Sequence, residues 1–202
     1  MQAIDLLLQR QSARVTTDPA PDEGALQLML ESAVRAPDHG RLQPWRFVII
    51  RGAGRERFGD LMAGYLARAR PGIEAEALSK AWKKALRAPL IIVVAAIIDR
   101  SGKIPEIEQI LSAGAAAQNI LLAACALGFN AVWKTGAAVY DDQVKTALGL
   151  QSKDAVVGVL YIGSEPGGAQ PWAASWSEFF RFMTAMSSGW GDWAVWGCSP
   201  PL

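Results

Sequence analysis

Metal-ligating side chains are scarce in this chain of 202 residues: it has one histidine, His39, and two cysteines, Cys125 and Cys198. The cysteines stand far apart and in no ligand-spacing motif, so neither a structural zinc nor an iron–sulfur centre is expected. An excess of charge of either sign is also missing. Twenty lysines and arginines face nineteen aspartates and glutamates, leaving +1, and nothing suggests DNA, RNA or an anionic membrane as partner. No GxGxxG follows a strand-like run and no GxxxxGK[ST] occurs, so dinucleotide-fold and P-loop fingerprints are lacking. A serine hydrolase would need a nucleophile elbow, and there is no GxSxG. Asp38 and His39 are sequence neighbours, which seldom orient one another as a catalytic dyad. The opening MQAIDLLLQRQ has neither a basic n-region nor a small-residue cleavage site, so a cytoplasmic location is expected.

What is present in quantity is apolar surface. Hydrophobic residues make up 51% of the chain and the mean hydropathy is +0.15. A monomer would have trouble hiding that surface, so an oligomer with a large apolar interface is expected. The longest apolar run, Ile110 to Phe129, carries Gln118 and Asn119 near its middle. It reads as a buried helix rather than a bilayer span.

Along the chain, IDLLLQR has helical spacing and ends near Arg10. A second helix starts near Pro21, with apolar positions at Leu26, Met29, Leu30 and Val34, and stops at Pro37. Phe47 to Ile50 reads as a short strand. Two amphipathic helices follow, in GRERFGDLMAGYLARAR and EAEALSKAWKKALR. Pro89 to Ile98 is apolar without alternation, the mark of a strand covered on both faces. A long helix from about Pro105 to Leu127 ends at Gly128 in a C-cap position. FNAVWKTG is a strand, YDDQVKTALG a short helix and AVVGVLYIG a final core strand. This order predicts an α+β fold with a central mixed sheet covered by helices on both faces.

The C-terminal segment differs in character. Five of the eight tryptophans lie between Trp172 and Trp196, and Arg181 is the only basic residue after Lys153. Two readings stay open: an apolar arm laid over another subunit, or a divergent, partly disordered C-terminus.

Several clusters could carry chemistry. In RQSAR, Arg10, Ser12 and Arg14 would share one face of an extended chain, a fork for a phosphate. Arginines that merely complement a helix C-terminus are the plainer alternative. RAPDHGRLQPW holds Arg35, His39, Arg41 and Gln43 between two prolines, which stiffen the loop and bias each preceding residue to extended geometry. A stiff loop presents donors to a ligand at little entropic cost. WKTG, Trp133 to Gly136, closes a strand with an aromatic, a cation and a hydroxyl together, where ligands often sit. Ser112 to Ala126 is rich in small residues. Close approach of a flat ring is one reading and ordinary core packing the other.

The order and spacing of these clusters resemble the nitroreductase family of FMN-dependent enzymes. RQSAR is similar to an Arg-Arg-Ser-x-Arg element, with Gln11 for the second arginine. RAPDHGRLQPWRFVII is similar to an Ala-Pro…Gln-Pro-Trp-x-Phe segment. NILLAACALGFNAVWKTG and VVGVLYIGSEP are similar to the family's Asn-x-x-Leu-Ala-Ala…Gly…Trp segment and closing strand. The resemblance implies a domain over residues 1–166, an atypical arm over 167–202, and a homodimer with two FMN sites at its interface. It implies that Arg10, Gln11 and Ser12 hold the phosphate and ribityl end of FMN. Arg35 and His39 would reach it from the partner subunit, and Trp133, Lys134 and Thr135 would line the flavin. Ala123, Ala124, Cys125, Ala126, Leu127 and Gly128 would border the nicotinamide nucleotide. Hydride would pass from NAD(P)H through flavin N5 to a nitroaromatic or quinone-like acceptor in a ping-pong order, with no catalytic side chain. Lys134 or Arg41 would stabilise the anionic reduced flavin. Many relatives carry Asn at the position of Arg41, and relatives tend to place a basic residue near the C-terminus, where this chain offers only Arg181. Another reduction on the same scaffold, or a non-catalytic flavin-binding dimer, are the alternatives.

Overall fold

The computed structural model of the chain describes residues 2–164. The tryptophan-rich segment 167–202 and Arg181 within it lie outside the described residues. The element order is α1 (Ala3–Gln9), α2 (Glu23–Ala33), β1 (Trp45–Arg51), α3 (Gly54–Ala69), α4 (Ala75–Lys83), β2 (Leu90–Ala96), α5 (Glu106–Ala126), β3 (Asn130–Lys134), α6 (Asp142–Ala147) and β4 (Ala155–Gly163). Four strands form one sheet in the order β1-β2-β4-β3.

Local sequence explains the boundaries. Asp22 caps α2, its carboxylate accepting the Ala25 N–H at 2.8 Å. Asp141 caps α6 in the same way through Val144 N–H. Gly128, at φ 82, ends α5 in the left-handed region that glycine tolerates. The strand expected over Phe47 to Ile50 extends one turn of pleat further on its N-terminal side, to Trp45, and on to Arg51.

The α+β expectation holds, and helices cover both faces. The sheet differs from a mixed one, because every ladder among the described residues is antiparallel. The reason lies in the connections. Between β1 and β2 the chain inserts two helices, α3 and α4, that pack on one another as a hairpin. Two helices return the chain to the end of the sheet it had just left, so the next strand runs the opposite way.

β2 is the centre of the core. All seven of its residues are buried, as a run without alternation predicts. Leu90, Ile92, Val94 and Ala96 pack with α2 and α5, while Ile91, Val93 and Ala95 pack with Phe58 of α3 and Val139. The inner face of α5 is fully enclosed at Ala113, Ala116, Ala117, Ile120 and Ala124. Small residues there are core packing that lets α5 lie close to α2 and the sheet. By length and composition α5 could cross a membrane, and its buried face on the sheet makes it a core helix. α1 buries none of its residues, although Ile4, Leu7 and Leu8 are apolar.

Between β2 and β4 the register shifts at Val94/Ala95, where Gly158 pairs with Val94 and Val156 with Ala95. Val157 is the extra residue of this bulge.

Candidate functional site

The C-terminal end of β3 builds the site. Successive side chains of a strand point to opposite faces, so Ala131 and Trp133 join the α5 side of the sheet while Val132 and Lys134 turn to the α3–α4 side. There Lys134 and Thr135 line a cavity of about 460 Å³. Four elements converge on it. Arg14 and Thr16 come from the chain that follows α1, held beside β3 by a hydrogen bond from Ala13 N–H to Ala131 O at 2.9 Å. Lys84 and Arg87 come from the turn after α4, and Tyr161 from β4. The Thr16 hydroxyl donates to Arg87 O at 2.8 Å and fixes the two segments together.

The electrostatics of this cavity are one-sided. Arg14, Lys84, Arg87 and Lys134 all line it, and no carboxylate among the described residues does. None of the four takes part in an ion pair among the described residues. Unpaired cations converging on a concave surface concentrate a positive potential and suit an anionic ligand. Burial pushes the Tyr161 phenol above its ordinary pKa, an effect that the Arg87 guanidinium partly offsets. Its hydroxyl therefore stays protonated at neutral pH and can donate.

A second cavity, of about 210 Å³, adjoins the first and shares Lys84, Lys134, Thr135 and Tyr161 with it. Its remaining walls are mostly apolar or aromatic, including Phe58, Met62, Tyr65 and Val139.

The other expected residues fall elsewhere. Arg10 and Gln11 line a small cavity with Cys125, Phe129 and Asn130, so the structure joins the N-terminal element to the end of α5. Ser12 is exposed. The fork expected of Arg10, Ser12 and Arg14 does not form in one protomer, because Arg10 and Arg14 line different cavities. Arg10 is still the C-cap of α1, at φ −58 and ψ 124, so the extended stretch has barely begun there and the period-two rule does not reach back to it. Trp133 belongs to the other face of β3. Its indole lies on the α5 side against Gly158 and donates to Val157 O at 3.3 Å. The ring is thus turned away from the cavity that Lys134 lines. At the end of α5, Ala124 is fully enclosed in the core, Ala123 and Cys125 are half-buried, and Ala126, Leu127 and Gly128 are exposed.

The Arg35–Pro44 loop starts beside the middle of α5, where Asn119 donates to Ser32 O, and runs towards the N-terminal end of that helix. His39 Nδ1 lies 2.5 Å from Glu108 Oε2, and the Ser112 hydroxyl donates to Pro37 O at 2.7 Å. Arg35 and Arg41 are exposed. Gly40, Arg41 and Gln43 take φ values of 74, 55 and 49. Gln43 therefore departs from the extended geometry expected before Pro44. The Asp38 carboxylate accepts the Gln43 N–H at 2.8 Å and holds the chain in the left-handed region. From Glu108 to Cys125 the helix rises about 26 Å at about 1.5 Å per residue. One small ligand cannot touch the His39 and Arg10 of a single protomer across that length.

Sequence reasoning did not assign Thr16, Lys84, Arg87 or Tyr161 to the site. The available signals were the basic cluster KKALR directly before a buried strand, and a tyrosine interrupting the apolar VVGVLYIG.

A family model described as Nitroreductase family matches residues 7–164. The chain belongs to the nitroreductase family. It is 41% identical over 165 residues to the Escherichia coli (strain K12) protein named "Putative NAD(P)H nitroreductase YdjA", spanning 81% of this chain and 88% of that one. Among solved structures, the nitroreductase-like family protein from Bacillus cereus superposes with a TM-score of 0.74 at 26% identity, covering 92% of this chain and 97% of that one. A nitroreductase-type protein from Desulfovibrio desulfuricans, solved in complex with FMN, gives a TM-score of 0.66 at 26% identity, with 92% and 97% coverage. This nitroreductase-family chain is therefore an oxidoreductase by family.

Proposed function

We propose that the protein is an NAD(P)H-dependent FMN oxidoreductase, working as a homodimer on nitroaromatic or quinone-like acceptors. The observation that carries this reading is the cavity at the end of β3, lined by four cations that have no ion-pair partner among the described residues. Positive charge suits the anionic reduced ring of FMN, and the larger cavity has the room for it. Lys134, Thr135 and Arg14 would hold the ring edge and ribityl chain, and Arg10, Gln11 and Ser12 the phosphate end. When bound, FMN supplies hydride chemistry at N5, with nucleotide and acceptor alternating in ping-pong order. The protein orients the ring, donates hydrogen bonds to it and keeps water out.

The dimer reading rests on separation and on exposed apolar surface. His39 can join Arg10 in one site only if a partner subunit supplies it. Leu7 and Leu8 on α1 and Ile107 and Leu111 on α5 are 57%, 78%, 59% and 63% exposed, a large apolar cost for a lone protomer. Ala126 to Gly128, exposed at the end of α5, would border the nicotinamide nucleotide. The family match ends at residue 164, which supports a cofactor-binding domain over 1–166.

Colour is the test. The purified protein is expected to be yellow, to bleach anaerobically with NADH or NADPH, and to recover its colour with a quinone or nitroaromatic. A colourless monomer that refuses added FMN overturns the proposal.

A further inference from the structure

We propose that the acceptor is a one-ring aromatic bearing a carboxylate or similar anionic group, its ring in the smaller cavity and its anion on Arg87 and Tyr161. This rests on the flavin reading above and narrows it to a substrate class. The smaller cavity, at about 210 Å³, has room for a single substituted ring and not for a dinucleotide. Phe58 and Tyr65 offer aromatic faces, while Met62, Leu66 and Val139 complete an apolar lining. Tyr161 belongs to both cavities, so it stands at the passage between them. Arg87 lines only the larger one and interacts electrostatically with Tyr161. A guanidinium and a phenol O–H, both donors, form a natural receptor for a carboxylate. Arg87 has no ion-pair partner among the described residues, and its main chain is fixed by Thr16, so the guanidinium is available. With Lys84 in the shared wall, a neutral ring would leave a cation facing it without compensation, whereas an anionic ring would answer it.

The test is equilibrium binding to the oxidised, FMN-loaded protein without reductant, so that no turnover occurs. The probes are 4-nitrobenzoate and 4-nitrobenzamide, alike in size and differing in charge, followed by calorimetry. The carboxylate is expected to bind at least about tenfold more tightly. Arg87→Gln should shrink that preference to less than about threefold, because the charge is removed and the backbone contact with Thr16 kept. Met62→Trp should fill the smaller cavity and weaken both probes at least about tenfold, with FMN content retained. A salt series on the unaltered protein needs no variant: between about 0.05 and 0.5 M NaCl, affinity should fall for the carboxylate and hold for the amide. Equal affinities, a preference for the amide, or a preference that survives Arg87→Gln would overturn the acceptor class while the protein keeps its FMN. A protein that takes up no FMN would overturn the underlying flavin reading instead, and calorimetry on it still reports the charge preference separately.

Discussion

Trp133 rests on Gly158 so closely that no other residue fits beneath it. A Cβ at position 158 would come 2.7 Å from indole Cε2 and 2.8 Å from Cδ1. The bulge at Val157 brings the glycine under the ring, and Val157 O takes the indole N–H. Trp133 therefore anchors the strand end that carries Lys134 and Thr135 into the cavity. Gly158→Ala is expected to cost about 1–3 kcal/mol, the range for overpacking a filled interior. Denaturant unfolding measures that loss. FMN retention should fall with it, since a displaced indole moves Lys134. An alanine variant as stable as the parent would show that the ring is free to shift.

His39 and Glu108 separate cofactor binding from folding. Their side chains are 66% and 41% exposed, so the pair contributes at most about 1 kcal/mol to stability. His39→Ala is expected to leave the unfolding midpoint almost unchanged. If the loop serves an FMN site across a dimer interface, the same variant should release FMN more readily on dilution and dialysis. Arg35→Ala should do likewise. Undiminished FMN content in both variants would remove this loop from the site.

How much of this was legible beforehand depends on the range of the interaction involved. β2 could be read directly, because a strand buried on both faces has only apolar residues, and nothing distant alters that pattern. The helices were legible from spacing and from breakers such as Pro37 and Gly128. The Arg35–Pro44 loop was picked out by its composition, yet its backbone was misjudged at Gln43, where one hydrogen bond from Asp38 overrides the preference of a residue before proline. The face taken by the indole of Trp133 was not legible, because strand parity relative to the core appears only once β3 is paired with β4. Lys84, Arg87 and Tyr161 escaped assignment for a similar reason. They lie on three-dimensional neighbours, the end of α4 and β4, that local pattern does not join.

Arg14 offers a clean contrast with an ordinary surface charge. It lines the larger cavity with three other cations and, among the described residues, no carboxylate. Arg51, by comparison, pairs with Glu23 on the exposed surface. Arg14→Ala should raise the dissociation constant for FMN at least about tenfold, the scale of one charge-assisted hydrogen bond, and lower the salt sensitivity of binding. Arg51→Ala should change FMN affinity by less than about twofold and stability by less than about 1 kcal/mol. Fluorescence titration of FMN into stripped protein measures both. Equal effects of the two substitutions would mean that net charge, not the cavity, binds the cofactor.

Tyr161 makes a prediction about alkaline stability whose sign follows from its surroundings. Burial raises the phenol above the ordinary tyrosine value of 10.0, and Arg87 pulls it only part of the way back. The folded chain thus holds this proton more tightly than the unfolded chain does. Below the unfolded value both states are protonated and the group's contribution is fully present. As pH rises past 10 the unfolded state ionises first, so stability is lost progressively until the folded phenol also titrates. Tyr161→Phe removes the titrating group, and its unfolding free energy should decline less steeply over the alkaline range than that of the parent. Arg87→Gln should act in the opposite direction, because losing the guanidinium raises the folded phenol further and steepens the alkaline decline. Urea unfolding from neutral pH up to about pH 11, the region around the reference tyrosine value, checks both at once. Parallel curves for all three proteins would mean that the phenol is as well solvated in the fold as in the open chain.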